Sequence, residues 1–225
     1  MSIFTISDLH LSFGTDKPMN IFKGWNNYTD RLAVNWKRLV TDNDAVVLPG
    51  DFSWGLRLEE TVEDFKFLEQ LPGKKILLKG NHDLWWSTAK KLNEFLKNNG
   101  FSSIDIVYNS CCVCQGYAIA GTRGWLYDDT SDKKILLREA GRLEASISQA
   151  EKTGFPILTF IHYPPVYGDC ICHEIFNIIK NHNIKTVYHG HIHGAGCNKA
   201  VKEYDGVKFK LVSCDCVDFT PVFVV

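Results

Sequence analysis

Asp8-x-His10 and His191-x-His193 are two closely spaced pairs of metal-binding side chains near opposite ends of a 225-residue chain. Between them stand Gly50-Asp51, Gly80-Asn81-His82-Asp83 and His162. Carboxylate, imidazole and amide oxygen, with no thiolate among them, are the donors of a hydrolytic metal site. One Zn²⁺ needs about three or four protein ligands. Asp8, His10, Asp51, Asn81, His162, His191 and His193 make seven candidates, the count for two ions sharing a bridging carboxylate. Two ions about 3.5–4 Å apart generate a hydroxide nucleophile near neutral pH and hold two phosphoryl oxygens for in-line attack.

Seven side chains so far apart in sequence need a scaffold that brings them together. Five apolar runs, at residues 3–6, 45–48, 75–78, 157–161 and 185–188, read as buried strands. Each leads directly into one of the candidate segments. In open α/β sheets, sites form in the crevice at the carboxyl ends of strands. Helical spacing separates several of the runs: Leu32, Trp36, Leu39 and Val40 after an expected cap at Asp30; Leu58 to Leu71; Leu136 to Ala150; and residues 174–181. Residues 201–204, 207–212 and 219–225 read as strands, with Tyr204-Asp205-Gly206 as a hairpin turn. No linker or repeat interrupts the chain, so the expectation is a single α/β domain over residues 1–225 with extra β structure at its end.

In order, Asp8-Leu9-His10, Gly50-Asp51, Gly80-Asn81-His82-Asp83, His162 and Gly190-His191-Ile192-His193 resemble the five motif blocks of the calcineurin-like metallophosphoesterase family. The resemblance implies a four-layer α/β/β/α sandwich of the metallo-dependent phosphatase type. It implies one metal site of Asp8, His10, Asp51 and His193, and a second of Asp51, Asn81, His162 and His191, with Asp51 bridging. His82 is then the catalytic histidine that assists the leaving oxygen, and Asp83 its orienting carboxylate. The implied cofactors are two divalent or mixed-valence ions, of Mn, Fe or Zn. The implied reaction is hydrolysis of a small phosphate ester by metal-bound hydroxide. A nucleotide phosphodiesterase or nuclease, and a non-catalytic metal-binding scaffold of the same fold, are the alternatives. Retention of all seven ligands and His82 speaks against the scaffold. Ser/Thr protein phosphatases carry an arginine soon after Gly-Asp, whereas here none occurs before Arg57. The segments around Trp54, Asp83-Leu84-Trp85-Trp86 and Gly121-Thr122-Arg123-Gly124-Trp125 resemble instead a bacterial and archaeal subgroup of predicted phosphohydrolases.

Composition sets further bounds. Net charge is −1, which argues against a broad nucleic-acid surface. No apolar stretch reaches the roughly 18 residues of a membrane helix, and the start lacks a signal-peptide pattern, so a cytoplasmic location is expected. The eight cysteines are therefore expected to be reduced. A structural zinc site of Cys170, Cys172, Cys214 and Cys216 is the alternative, although only Cys111 and Cys114 show the two-residue gap of zinc ribbons. His189, beside the ligand pair, is read as a packed histidine, with a supporting donor as the alternative, and His173 and His182 as exposed. Trp54 and Trp86 are candidates for a stacking wall at the substrate. Arg123 is the candidate phosphate clamp, with simple pairing to a carboxylate as its alternative.

Overall fold

Alternation along short apolar strands decides the layering. The computed structural model describes residues 1–125 and 133–225. The chain runs β1 (Ile3–Thr5), α1 (Tyr28–Leu39), β2 (Ala45–Pro49), α2 (Val62–Glu69), β3 (Lys74–Leu78), α3 (Ala89–Asn99) and β4 (Ile104–Ile106). It continues through β5 (Cys111–Cys114), β6 (Tyr117–Thr122), α4 (Lys133–Glu151), β7 (Ile157–Ile161), β8 (Val166–Tyr167), β9 (Cys170–Ile171) and α5 (His173–Asn181). It ends with β10 (Thr186–His189), β11 (Glu203–Tyr204), β12 (Val207–Leu211) and β13 (Val222–Phe223).

One main sheet has the order β13-β1-β2-β3-β4 and the other β11-β12-β10-β7-β6-β5, while β8 and β9 pair as a separate two-stranded sheet. The inner strands of both are parallel, and β13, β5 and β11 pair antiparallel. In the first sheet Phe4, Val46, Leu48 and Leu77 face one apolar cluster with the side chains of α1, α2 and α3. Their neighbours Ile3, Ala45, Val47, Ile76 and Leu78 face another, shared with Ile119, Phe160 and Tyr188 of the second sheet. Ala118, Ala120, Ile161 and Val187 point to a third cluster with α4 and α5. The period-two alternation thus yields the expected four layers, α/β/β/α. Burying a side chain such as Ile76 or Leu77 contributes about 1.5–3 kcal/mol, against roughly 1–2 kcal/mol to order each residue's backbone. A strand of five residues therefore holds only with a layer on each face.

The five strands expected to lead into the candidate segments appear within about one residue, the fifth shifted one residue on, because His189 pairs with both Ile161 and Leu211. Of the C-terminal expectations, residues 207–212 give β12, whereas 201–204 and 219–225 shorten to Glu203–Tyr204 and Val222–Phe223. The hairpin turn has positive φ at Asp205 and Gly206, the two-residue geometry that suits twisted strands. Other features differ from expectation, and the strands β4, β5, β6, β8 and β9 fall outside the expected runs. The N-cap of α1 is Asn27 rather than Asp30, which lies in the first turn, where its charge suits the helix dipole. The helix α3, capped by Thr88 and closed by Gly100, was not anticipated. His182 is not exposed: at the C-cap of α5, its ring contacts Glu151 (2.7 Å) and Glu144 (2.9 Å) of α4. Those bonds, led by the one to Glu151, raise its pKa. Among the described residues no helix is long and apolar enough to cross a membrane.

The two sheets are stitched where the candidate site lies. Ser7, at the exit of β1, forms a parallel bridge with Ser213, at the exit of β12. Ser7 N donates to the Val212 carbonyl (2.9 Å) and Cys214 N to the Ser7 carbonyl (2.9 Å). Behind this seam, Gly121 of β6 lies against Phe160 of β7, and a Cβ there would sit 1.8 Å from the Phe160 carbonyl oxygen. A Gly121→Ala substitution is expected to destabilise the protein by at least about 2 kcal/mol, because the obstacle is backbone of a central strand. Urea denaturation checks this; an unchanged midpoint would show that the β6–β7 seam yields.

Candidate metal centre

The carboxyl groups of Asp8, Asp51 and Asp83 lie close together with exposures of 0, 1 and 0%. Among the described residues, no Lys or Arg forms an ion pair with any of them. Asp83 is compensated by five N–H donors: the backbone of Gly80 (2.7 Å), Asp51 (2.9 Å), Phe52 (2.9 Å) and Ser53 (3.3 Å), and the Trp85 indole (3.2 Å). Asp8 accepts from the backbone of His191, from the hydroxyls of Ser7 and Ser213, and contacts His193 Nε2 (3.2 Å). Asp51 accepts one backbone N–H, from His82 to Oδ1 (2.7 Å). Among the described residues, its Oδ2 faces the rings of His162 (3.4 Å) and His10 (3.9 Å).

The strand ends aim these groups by leaving extended geometry abruptly. Asp8, His10, Asp51 and His191 have φ of 59°, 46°, 53° and 72°. Non-glycine residues in this region are strained, by about 1–3 kcal/mol each, and such strain concentrates at functional sites. Two glycines let the loops close on the carboxylates. A Cβ at Gly80 would lie 2.1 Å from Asp51 Oδ1, and one at Gly190 would lie 2.2 Å from Asp8 Oδ2.

Two donor clusters result. In the first, Asp8 Oδ1, His10 Nε2 and His193 Nε2 converge, with 3.4 Å between the two imidazole nitrogens. In the second, His162 Nε2 lies 2.7 Å from Asn81 Oδ1 and 3.4 Å from Asp51 Oδ2, and His191 Nδ1 lies 3.0 Å from Asn81 Oδ1. Atoms so spaced can each stand about 2.0–2.2 Å from a shared ion. The Pro49 carbonyl, 3.0 Å from His162 Nδ1, can only accept, so Nδ1 carries the proton and Nε2 offers a lone pair. Burial keeps His162 neutral, with its pKa pulled down to about 4. The lone pairs of His162 Nε2 and Asn81 Oδ1 then face one another beside Asp51 Oδ2, an arrangement that suits a cation. Burial likewise lowers His10 and His191 to about 3, the neutral form a metal requires. His193 differs. Burial opposes its charge, but bonds to Asp215 and Asp8 outweigh burial and raise it to about 10. Asp51 is pushed well above the usual carboxylate range by burial and by the charges of Asp8 and Asp83.

His82 is half-buried on the wall of the adjoining cleft, its ring against Trp54 (4.5 Å between centroids) and edge-on to His10 (5.6 Å). The cleft holds about 420 Å³ and extends from Asp51 and the histidines past Trp54 and Trp25 to Met19, Phe22 and Lys23. Trp54 stacks on His10 at 4.8 Å.

The structure places other expected residues differently. Asp83 binds loop backbone and does not bond the His82 ring; its place is to tie the Asp51 loop to the Gly80 loop. Trp86 is buried against Trp85 and Tyr108 and does not line the cleft. Arg123 pairs with the fully buried Glu139 of α4 (2.9 Å), as Arg142 does (2.6 Å), and lies outside the cleft. A buried carboxylate demands such partners, and Glu139 takes the guanidinium that the sequence offered for phosphate. His189 is packed, its Nδ1 3.1 Å from the Gly190 carbonyl oxygen and its Nε2 without a partner. The cysteines are not all reduced: Cys197 and Cys216 form a disulfide. The Cys214–Cys216 turn brings the Cα atoms of the bonded pair to 5.6 Å, within bridging range. Cys170, Cys172, Cys214 and Cys216 form no donor cluster, since Cys172 belongs to the α4–α5 core and Cys214 to the α1–α3 core.

Sequence reading missed Asp215, which accepts from His193 Nδ1 (2.8 Å) and from Gly194 N (2.8 Å). Its position just beyond β12 was the available signal, because the strand-end rule applies there too. Met19, Phe22 and Trp25 were missed as cleft lining because they come from a long loop with no periodicity.

A family model described as calcineurin-like phosphoesterase matches residues 1–195. Similar solved structures include TT1561 of Thermus thermophilus, with 14% identity, a TM-score of 0.60, and 99% of this chain and 97% of that one covered. A protein of unknown function from Aquifex aeolicus is 19% identical, with a TM-score of 0.54 and 99% and 95% covered. A phosphopantetheinyl hydrolase from Mycobacterium tuberculosis is 14% identical, with a TM-score of 0.53 and 100% and 95% covered. At such identities the likeness concerns the fold. No curated protein matches the chain.

Asp215 fixes the ring of a candidate ligand, so Asp215→Ala is expected to weaken Mn²⁺ binding about 10–100-fold while the fold persists. Calorimetric Mn²⁺ titration beside a thermal melt measures both. Undiminished affinity would remove Asp215 from the site.

Proposed function

The chain belongs to the calcineurin-like phosphoesterase family, and on that footing we propose that it hydrolyses a small phosphate ester at the Asp51 cleft, using two metal ions and His82. The observation that carries this reading is the meeting of His193, of the neutral His10, His162 and His191, of Asn81 and of incompletely compensated carboxylates at one end of an open cleft. Asp8, His10, Asp51 and His193 would hold one ion, and Asp51, Asn81, His162 and His191 the other. Such ions, when bound, lower the pKa of water and neutralise phosphoryl charge. Imidazole with carboxylate and amide oxygen suits Mn, Fe or Zn.

The protein's own contribution is positioning and proton supply. Asp83 holds the Asp51 and Gly80 loops in register through four backbone N–H groups, and so fixes His82, whose own N–H is bonded to Asp51. Burial lowers the His82 pKa in the free protein. A phosphate ester brings negative charge beside the ring, which favours its protonated form. Protonated His82 then hands its proton to the departing alkoxide oxygen.

A chelator should abolish turnover of p-nitrophenyl phosphate or its bis ester, and added Mn²⁺ should restore it; if no ester is turned over with any divalent metal, the hydrolytic reading fails. His82→Ala should lower turnover of an alkyl phosphate about 10²–10⁴-fold with metal content unchanged. The p-nitrophenyl ester should suffer much less, because p-nitrophenolate departs without a proton. An equal loss on both esters would take the proton donor's role from His82.

A further inference from the structure

The half of the cleft beyond the metal end has a chemistry of its own. It is walled by Met19, Phe22, Trp25 and Trp54, with Lys23 at the rim. Lys17 Nζ stands 5.0 Å over the Trp54 ring. Phe22 is 52% exposed, an apolar ring turned partly to water beside an open cavity. A volume of about 420 Å³ is that of a site for a sizeable organic group, far more than one phosphoryl group fills. Among the described lining residues there is no Ser, Thr, Tyr, Asn or Gln. The Trp54 indole N–H is spent on Met19 Sδ (3.2 Å). Asp51 and Asp215, the acidic residues of the lining, both lie at the metal end.

Apart from the Trp25 indole N–H and the rim lysines, such a wall offers no side-chain group to read the edges of a nucleobase or the hydroxyls of a sugar or glycerol. A polar group buried against its apolar faces would lose its water and gain no partner there. An apolar ring would lose nothing and would cover Phe22. The lysines at the rim favour the approach of an anion. Resting on the hydrolytic reading above, we infer that the cleft selects phosphate esters of apolar, ring-bearing alcohols over those of polar alcohols such as nucleosides and glycerol, with Phe22 and Trp54 seating the ring.

The test compares 2-phenylethyl phosphate, glycerol phosphate and uridine monophosphate with the full-length Mn²⁺-loaded protein. All three are esters of aliphatic alcohols, so differences report recognition rather than leaving-group reactivity. The phenylethyl ester should show at least about a tenfold higher kcat/KM, the discrimination a hydrophobic pocket supplies. Phe22→Ala should shrink that ratio, whatever it does to the absolute rates. Equal or better turnover of uridine monophosphate or glycerol phosphate, or a ratio indifferent to Phe22→Ala, overturns the inference. If none of the three is hydrolysed, the hydrolytic reading is at fault, and binding still decides the inference. 2-Phenylethylphosphonate should then quench tryptophan fluorescence at a concentration at least about tenfold lower than methylphosphonate. Equal binding of the two phosphonates overturns it.

Discussion

Three carboxyl groups, of Asp8, Asp51 and Asp83, are buried together, and among the described residues no lysine or arginine pairs with them. An uncompensated buried charge costs several kcal/mol, so three would rival a whole domain's stability of about 5–15 kcal/mol. Each is met differently. Asp83 takes five N–H donors and becomes a structural knot. Asp8 takes hydroxyls, a backbone N–H and His193. Asp51 takes one N–H, and its Oδ2 is left to histidine rings that burial keeps neutral. Burial and the neighbouring Asp8 and Asp83 charges raise the Asp51 pKa, so a proton can relieve it in the free chain, and a bound cation can take that proton's place. The surrounding loops, glycines and strained backbone are what such an anionic pocket requires.

The two-sheet architecture makes that pocket possible. Each sheet alone presents its strand ends along a line, and a line of loops cannot surround an ion. The Ser7–Ser213 bridge joins the exits of β1 and β12, so loops of both sheets face a common centre. Asp8, Asp51 and Asn81 come from the first sheet; His162, His191 and His193 come from the second. Left-handed backbone at Asp8, His10, Asp51 and His191 then turns side chains inward that extended strands would have aimed elsewhere. Three of the cysteines belong to the same seam. Cys214 donates to the Asp8 carbonyl (2.8 Å), and the Cys197–Cys216 disulfide ties the turn bearing Asp215 to the segment after His193. Cys214 and the Cys197–Cys216 disulfide, which have no evident part in the sequence, thus brace the frame around the candidate ligands.

Much of this was legible before any coordinates. The layers follow from alternation such as Ile3/Phe4 and Ile76/Leu77, which is local and depends only on strand periodicity. The candidate donors follow from residue type and from their place directly after strands. By themselves those residues determined which groups could gather at one rim and what chemistry they could do. Partner choice was not legible. Arg123 had a buried glutamate to serve, Asp83 had backbone to hold, Trp86 had a core to fill, and Cys216 met Cys197. Asp215 and Phe22 acquired their places from loops without periodicity. Such pairings join residues as far as 206 positions apart, as Cys214 and Asp8 are, and only packing settles them. Strand periodicity is written into consecutive residues, whereas compensation of a buried charge depends on whatever the rest of the fold brings within hydrogen-bond reach.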